Sequence, residues 1–163
     1  MSENINQVTL ALELLVTFFG VFLAFTLDRL IDWRKDQKAK QELLRNLACE
    51  LNRLKDTLTE EVHRLFPNIW DSAIASGKLD LLNPQELPKL TDVYRVIKET
   101  DYEAMRVRDA KEAFEETHSN DARVNYSILN QAYTQRMQDT RKLIDNVLKE
   151  PWLSRYVKSL KSA

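Results

Sequence analysis

The chain has 163 residues, of which 44% are hydrophobic and 30% charged, and its formal net charge is −1. A charge this close to zero argues against the basic excess of proteins that bind nucleic acid in bulk. Two glycines and four prolines are too few for a turn-rich β fold. The frequent residues are helix formers, and about 130 residues remain beyond the first apolar run, enough for one domain with a core. These observations predict an all-α protein.

Residues 8–27, VTLALELLVTFFGVFLAFTL, form an apolar run that carries one charge, Glu13. About 20 helical residues cross a hydrocarbon core of about 30 Å, so the run predicts a transmembrane helix over residues 8–28. Trp33 and a basic cluster follow at once, as at the end of a membrane helix. The run has neither the basic start nor the small-residue cleavage site of a secretory signal peptide, and we therefore predict an uncleaved anchor.

The distribution of basic residues predicts the orientation of this anchor. No Lys or Arg precedes Arg29, and all 24 basic residues follow the run. Because basic residues close to a span stay in the cytoplasm, we predict a single-pass protein of the cell (inner) membrane. Residues 1–7 are then a short extracytoplasmic tail, and the rest of the chain is cytoplasmic. The single cysteine, Cys49, fits a reducing compartment.

One face of the predicted membrane helix is small or polar throughout. Its members recur every three or four residues, and such a stripe suits close packing against another helix. With one span per chain, the partner is a second copy, so we predict a homo-oligomer. Glu13 either stays hydrated among the outer headgroups or forms a ring around a cation-selective pore. The stripe consists of Thr9, Glu13, Thr17, Gly20, Ala24 and Asp28.

The segment after the span, residues 29–66, contains no Gly or Pro and is predicted to continue the helix as far as Phe66. It begins as a charged neck and then resembles a coiled coil, because leucines recur at heptad spacing. Such a seam fits either an intermolecular coiled coil or a helix packed on its own domain's core. The seam comprises Leu44, Leu47, Leu51, Leu54 and Leu58, followed by Val62 and Leu65.

Residues 67–163 are predicted to form a cytosolic domain that is a bundle of helices. A short helix over residues 68–76 ends at Gly77, and Asn83, Pro84 and Glu86 give a strong start signal for a second one that runs to about residue 116. A third covers about residues 121–149. The last helix, over residues 152–163, is basic and amphipathic. It either lies on an anionic membrane surface or, as we prefer, closes the domain core.

The sequence contains none of the patterns typical of an enzyme. It has two histidines, His63 and His118, and lacks HExxH, paired metal-binding cysteines, a glycine-rich phosphate loop and G-x-S-x-G. We therefore predict that the protein is not an enzyme and has no catalytic residues, no metal site and no cofactor. His63 is predicted to be structural rather than a ligand, and Cys49 to be inert rather than redox-active.

Basic residues on two successive predicted helices could bind an anion. If these helices are antiparallel, some of the bases converge, and a symmetric oligomer would repeat the set around its axis. The alternative is that the bases form salt bridges with Glu103, Asp109, Glu112 and Asp139. The candidate anion-binding residues are Arg106, Arg108, Lys111, Arg123, Arg136, Arg141 and Lys142.

Two segments carry a family resemblance. GVFLAFTLDRLIDWRKDQKAKQELLRNLACEL and WDSAIASGKLDLLNPQELPKLTDVYRVI resemble a loosely defined group of uncharacterised prokaryotic single-span membrane proteins. The shared features are an aromatic-rich span that ends in Asp28-Arg29, a charged helix, and a Gly-Lys-Leu turn before a helix that holds Tyr94. The architecture, without a shared motif, is also similar to small membrane effectors of antiviral defence such as those of type III CRISPR systems. The resemblance covers about half the chain and implies topology rather than activity.

Two hypotheses for function follow. In the first, the protein is a membrane effector whose cytosolic domain senses a small anionic nucleotide and shifts the arrangement of the membrane helices. In the second, it is a static membrane anchor or scaffold for a cytosolic protein. In both, its partners are the lipid membrane and further copies of itself.

Overall fold

A computed structural model describes residues 2–58 and 64–160, with side chains over residues 13–58 and 64–158. The described chain forms five α-helices and one short 3₁₀ helix, without a strand, which confirms the all-α prediction. It divides into two compact units, Met1–Ala39 and Lys40–Ala163. The helices are α1 (Ser2–Thr57), α2 (Asn68–Ala75), α3 (Glu86–Thr117), α4 (Asn120–Leu148) and α5 (Pro151–Leu160), with the 3₁₀ helix Lys78–Leu81 between α2 and α3.

The first unit is a helix whose apolar side chains are uncovered. From residue 13 to residue 38 every side chain except that of Thr26 is exposed, and Phe18 exposes 69% of its surface. The hydroxyl groups of Thr17 and Thr26 donate to carbonyls one turn earlier, so their donors are satisfied within the helix. From Glu13 onward, α1 is long and apolar enough to cross a membrane.

The second unit is organised around the leucine seam of α1. Its five leucines from Leu44 to Leu58 are at most 2% exposed, and they pack with residues of α3, α4 and α5 in one hydrophobic cluster. The seam is therefore buried in its own domain, which decides against an intermolecular coiled coil along these leucines. Leu65 is buried in the same cluster, whereas Val62 and His63 lie outside the described residues.

Helix α1 ends at Thr57, nine residues before the end that the sequence predicts. Contacts distant in sequence explain the difference. The backbone N–H of Leu65 donates to Asp101 in α3 at 2.7 Å, and the Arg53 guanidinium donates to the carbonyl of Phe66 at 3.1 Å. Both contacts hold residues 65 and 66 in a non-helical conformation ahead of α2. Tertiary contacts thus override a local sequence that contains no helix breaker.

Helices α3 and α4 form an antiparallel hairpin. The hydroxyls of Thr100 and Thr140 meet at 2.7 Å in the core, and nearer the tip the rings of Phe114 and Tyr126 stack with centroids 6.5 Å apart. At the predicted polar break the chain turns, and the Ser119 hydroxyl caps α4 by accepting the N–H of Ala122. No side chain between residues 111 and 132, all of which are described, is buried. The hairpin tip therefore adds no buried residue to the core, although Tyr126 and Leu129 pack against it half-buried.

The remaining predicted helix boundaries, those of α2 to α5, agree with the structure to within two residues, apart from the predicted end at residue 163, which lies outside the described residues. Helix α2 ends before Gly77, which has a φ of 68° in the left-handed region that glycine adopts without strain. The Glu86 carboxylate accepts the backbone N–H of Asn83 at 2.8 Å, which is half of a capping box, although residues 84 and 85 form a turn and α3 begins at Glu86. Leu153 of α5 is fully buried, so this helix closes the core as we preferred.

Candidate binding cleft

The structure does not bring the seven predicted anion-binding bases together. In α3, Arg106 and Arg108 are two residues apart and project about 200° apart around the helix. In α4, Arg123 and Arg141 are eighteen residues apart, which corresponds to about 27 Å along the axis. A single anion cannot contact bases so distributed within one copy of the domain.

Three of these bases are paired with carboxylates. Arg136 lies 3.2 Å from Glu103, Lys142 lies 3.5 Å from Asp139, and Lys111 pairs with Glu115. The pairs with Glu103 and Asp139 are among the salt bridges predicted as the alternative to an anion site. A hydrogen bond from the Gln135 amide, followed by the influence of Lys142, lowers the pKa of the Asp139 carboxyl, so this acid stays ionised beside Lys142. Arg106, Arg123 and Arg141 are exposed, and Arg108 is half-buried.

The predicted membrane stripe lies in the first unit. Glu13, Gly20 and Asp28 are exposed along α1, as are the stripe residues between them. A Cβ atom placed on Gly20 would meet nothing within 4 Å, so the surface there is open. Thr9 belongs to α1, but its side chain lies outside the described residues.

The second unit contains a cleft that the sequence analysis did not identify. It has a volume of about 630 Å³. One wall is formed by α2 and the 3₁₀ helix, the floor by successive turns of α3, and the far edge by Arg136 of α4. The lining residues are Trp70, Ile74, Leu79, Thr91, Tyr94, Arg95, Lys98, Glu99, Tyr102, Glu103 and Arg136.

A buried network holds the aromatic part of the cleft in place. The rings of Trp70 and Tyr94 stack with centroids 4.5 Å apart and planes within 8° of parallel. The Tyr94 hydroxyl donates to the buried carboxylate of Glu50 at 2.8 Å, and the same carboxylate accepts the backbone N–H of Trp70 at 3.2 Å. Burial raises the pKa of the Tyr94 phenol, and the charge of Glu50 raises it further. The phenol therefore stays protonated and keeps donating at neutral pH.

Two apolar side chains of the cleft face solvent. Ile74 of α2 exposes 51% of its surface, and Tyr102 of α3 exposes 64%. Both line the cleft and provide accessible apolar surface there, whereas Trp70 and Tyr94 are at most 4% exposed.

The rim of the cleft is a chain of ion pairs. Arg95 lies 2.6 Å from both Asp92 and Glu99, Lys98 lies 2.6 Å from Asp71, and Arg136 bridges Glu99 and Glu103 at 3.4 and 3.2 Å. The hydrogen bonds to Asp92 and then Glu99 raise the pKa of the Arg95 guanidinium. Every base that lines the cleft thus has a carboxylate partner.

Sequence reasoning missed this cleft for a physical reason. Thr91, Arg95, Lys98 and Tyr102 recur at the spacing of one helical face, but a mixed polar face of this kind ordinarily faces water. What turns it into a cleft floor is the packing of α2 beside it, and that depends on Glu50, which is far away in the sequence. Within the described residues, no group of three or more His, Cys, Asp or Glu side chains is placed to hold a metal ion.

Comparison of the chain with protein-family models, curated proteins and solved structures found no match. The resemblance to single-span membrane proteins, and the architectural similarity to antiviral effectors, therefore stay predictions.

Proposed function

We propose that the protein is a single-pass inner-membrane protein that holds a helical binding module in the cytoplasm. The observation that supports this proposal best is the contrast between the two units. Among the residues whose side chains are described, the hydrophobic cluster of the second unit contains none before Leu43, so the apolar side chains of residues 13–38 are not needed for that core. Soluble monomers rarely expose apolar patches larger than a few hundred Å², and a lipid bilayer is the cover that suits about 20 such residues in one helix.

The orientation in this proposal rests on the charges that flank the span. Arg29, Arg34, Lys35 and Lys38 follow the apolar run, and the segment before it contains no base. Retention of basic flanks in the cytoplasm then places the second unit in the cytoplasm.

Cys49 offers a direct test of this arrangement, because it is the only cysteine and its side chain is exposed. We expect the protein to stay in the membrane fraction after alkaline carbonate extraction. A membrane-impermeant maleimide should label Cys49 only after the inner membrane is permeabilised. In a Cys49→Ser background, Ser2→Cys should be labelled in spheroplasts that are still intact. Labelling of Cys49 in intact spheroplasts would reverse the orientation, and release by carbonate would remove the anchor.

Self-association through the membrane stripe is a second part of the proposal. The open surface at Gly20 would let the backbone of a neighbouring helix approach closely, which is how small residues act in membrane helices. Gly20→Leu should therefore abolish cross-linking between copies in native membranes. The control is Val21→Leu, which changes an exposed position on another face of the same turn. Equal cross-linking in the two variants would contradict this role of the stripe.

The cytoplasmic unit would act as a binding module through its cleft, since that is a concave surface lined by accessible apolar groups, Ile74 and Tyr102. Pockets of about 300–1,000 Å³ with mostly apolar walls and few polar groups are typical of binding sites. A protein of this kind is an anchor that holds a binding domain rather than an enzyme.

A nucleotide-gated membrane effector is the second candidate, and the exposed polar stripe with Glu13 is the observation that favours it. A ring of carboxylates in a bundle of spans could select cations. Its anionic ligand would need bases from several copies, because those of one copy do not converge. Full-length protein in liposomes should then pass cations only with a nucleotide from an anionic panel, and Glu13→Ala should abolish the flux. Flux that is absent or independent of nucleotide would exclude gating.

A further inference from the structure

We propose that the cleft between α2 and α3 is a binding site for a small, uncharged molecule that carries apolar rings. This inference names the ligand class of the binding module proposed above and so rests on that function. It concerns the second unit alone, and membrane anchoring is tested separately by the labelling of Cys49.

The size of the cleft indicates a small molecule. Along α3 it extends from Thr91 to Glu103, which corresponds to about 18 Å. A helix of that length and about 10 Å in diameter would fill about 1,400 Å³, or roughly twice the volume of the cleft. A volume of about 630 Å³ instead lies within the range of small-molecule sites. A partner helix is therefore disfavoured as the occupant.

The lining indicates a ligand with flat, apolar faces. The ring of Tyr102 and the aliphatic side chain of Ile74 both line the cleft and are accessible, whereas the Trp70–Tyr94 stack is buried beneath the lining. Aromatic rings prefer offset stacks or edge-to-face contacts with other rings, and such pairs add to the gain from burial alone. A ring system would stack on Tyr102 and pack on Ile74.

The charges of the rim indicate a ligand without net charge. Arg95, Lys98 and Arg136 are each within 2.6–3.4 Å of a carboxylate, and Glu99 is shared by two guanidinium groups. An anion would have to compete with these carboxylates for the bases, and a cation with the bases for the carboxylates. An uncharged ring gains its contacts without breaking any pair. The cleft thus takes a different class of ligand from the anion site that the sequence predicts, although the two share Arg136.

The site is formed before the ligand arrives. Glu50, buried at 2% exposure, accepts hydrogen bonds from Tyr94 and from the first N–H groups of α2, so the wall and the floor are tied to each other and to α1. A preformed pocket avoids the cost of ordering its walls on binding.

A matched pair of photoreactive probes tests the proposal on the full chain in nanodiscs. Benzophenone is uncharged and has two rings, and 4-benzoylbenzoate is the same molecule with one carboxylate. After irradiation, tryptic peptides are mapped by mass spectrometry. We expect benzophenone to label the peptides of residues 65–78 and 99–106 saturably, because they contain Ile74 and Tyr102. At equal concentration 4-benzoylbenzoate should label them at least ten-fold less.

Two variants and a control complete the test. Tyr102→Ala and Ile74→Asp should each reduce labelling of the cleft peptides at least five-fold. Ile128→Asp changes a residue of similar exposure on α4, outside the cleft, and should leave the labelling unchanged. Circular dichroism and melting temperature confirm that each variant is folded.

Three results would overturn the proposal. The first is labelling of the cleft peptides that does not saturate or does not occur. The second is equal or stronger labelling by 4-benzoylbenzoate, which would indicate an anion site. The third is labelling that Ile128→Asp reduces as much as Tyr102→Ala does.

Discussion

The carboxylate of Glu50 in α1 accepts a hydrogen bond from the hydroxyl of Tyr94 in α3 at 2.8 Å, and both side chains are buried. The same carboxylate accepts the backbone N–H groups of Ile69 at 2.7 Å and Trp70 at 3.2 Å. These two N–H groups lie in the first turn of α2 and have no acceptor within the helix, and the preceding residue, Pro67, has no side-chain acceptor to cap them. One carboxylate on α1 thus replaces the missing cap of α2 and fixes α3 beside it.

Removal of this carboxylate should destabilise the second unit strongly. Glu50→Ala leaves two backbone donors and one hydroxyl without their acceptor in a buried place, and we expect a loss of about 3 kcal/mol in the free energy of unfolding. Glu50→Gln, which keeps one acceptor oxygen, should cost less. The measurement is urea unfolding of the full chain in detergent, followed by near-ultraviolet circular dichroism. Glu42→Ala, at an exposed position on α1, is the control. Equal effects of Glu42→Ala and Glu50→Ala would contradict the capping role.

The raised pKa of Tyr94 predicts a loss of stability in alkali. Above pH about 10 the phenol ionises in the unfolded chain but stays protonated in the folded one, so the unfolded state binds fewer protons. Stability is therefore fully present below that pH and falls above it, by about 1.4 kcal/mol per pH unit from this residue.

Unfolding of the full chain between pH 9 and pH 11 measures this slope. Tyr94→Phe removes the titrating group and should flatten the decline, whereas Tyr102→Phe, at an exposed position, should leave it unchanged. A decline that is the same in Tyr94→Phe and in the parent protein would show that other groups cause it.

The Thr100–Thr140 hydrogen bond should make these two positions interdependent. The hydroxyls lie 2.7 Å apart in the core, and each also lies 2.8 Å from a carbonyl one turn earlier in its own helix. Because a hydroxyl has one proton, one of the two donates to the other and the second donates to its own carbonyl. Each single change to Val leaves the other hydroxyl without this partner, at a cost of about 1 kcal/mol. The double variant replaces both by apolar groups of the same shape and should cost clearly less than the sum. Simple additivity in this double-mutant cycle would indicate no coupling.

The ion pair between Lys40 and Glu86 should matter far more than that between Lys35 and Asp32. The first has a separation of 2.7 Å and side chains only 12% and 7% exposed, whereas both side chains of the second are 71% exposed. Lys40→Met leaves a buried carboxylate without its cation and should cost about 3 kcal/mol. Lys35→Met should have no measurable effect, because exposed pairs contribute little.

A second substitution tests whether the unpaired carboxylate of Glu86 causes the loss of stability in Lys40→Met. Glu86→Gln in the Lys40→Met background removes the buried charge and should restore most of the stability in thermal melts. Loss of the same size in Lys35→Met and Lys40→Met would contradict this account.

Much of the fold could be predicted because its signals are local. The heptad leucines identified the face of α1 that is buried, and Gly77, Asn83 and the break near residue 118 located the ends of α2, α3 and α4 to within about two residues. Such signals depend on helix periodicity and caps, which act over a few residues.

The parts that could not be predicted depend on contacts between distant residues. The end of α1 at Thr57 reflects the contact of Leu65 with Asp101, and no local breaker marks it. The seven bases do not converge because they lie far apart along α3 and α4. The cleft forms because α2 packs beside α3, and the buried Glu50 holds the two helices together through its bond to Tyr94. A glutamate in a sequence ordinarily indicates a solvated position, so this role could not be predicted.

The uncovered tip of the α3–α4 hairpin has a consequence for how the domain opens. Residues 111–132 contain no buried side chain, so separating the two helices there newly exposes only half-buried apolar groups such as Phe114, Tyr126 and Leu129. Backbone amides at the tip should exchange with deuterium within seconds to minutes, through local openings, while those near Thr100 and Thr140 exchange only through unfolding of the whole domain. The tip is thus the low-stability part of a domain whose other end is held by the core.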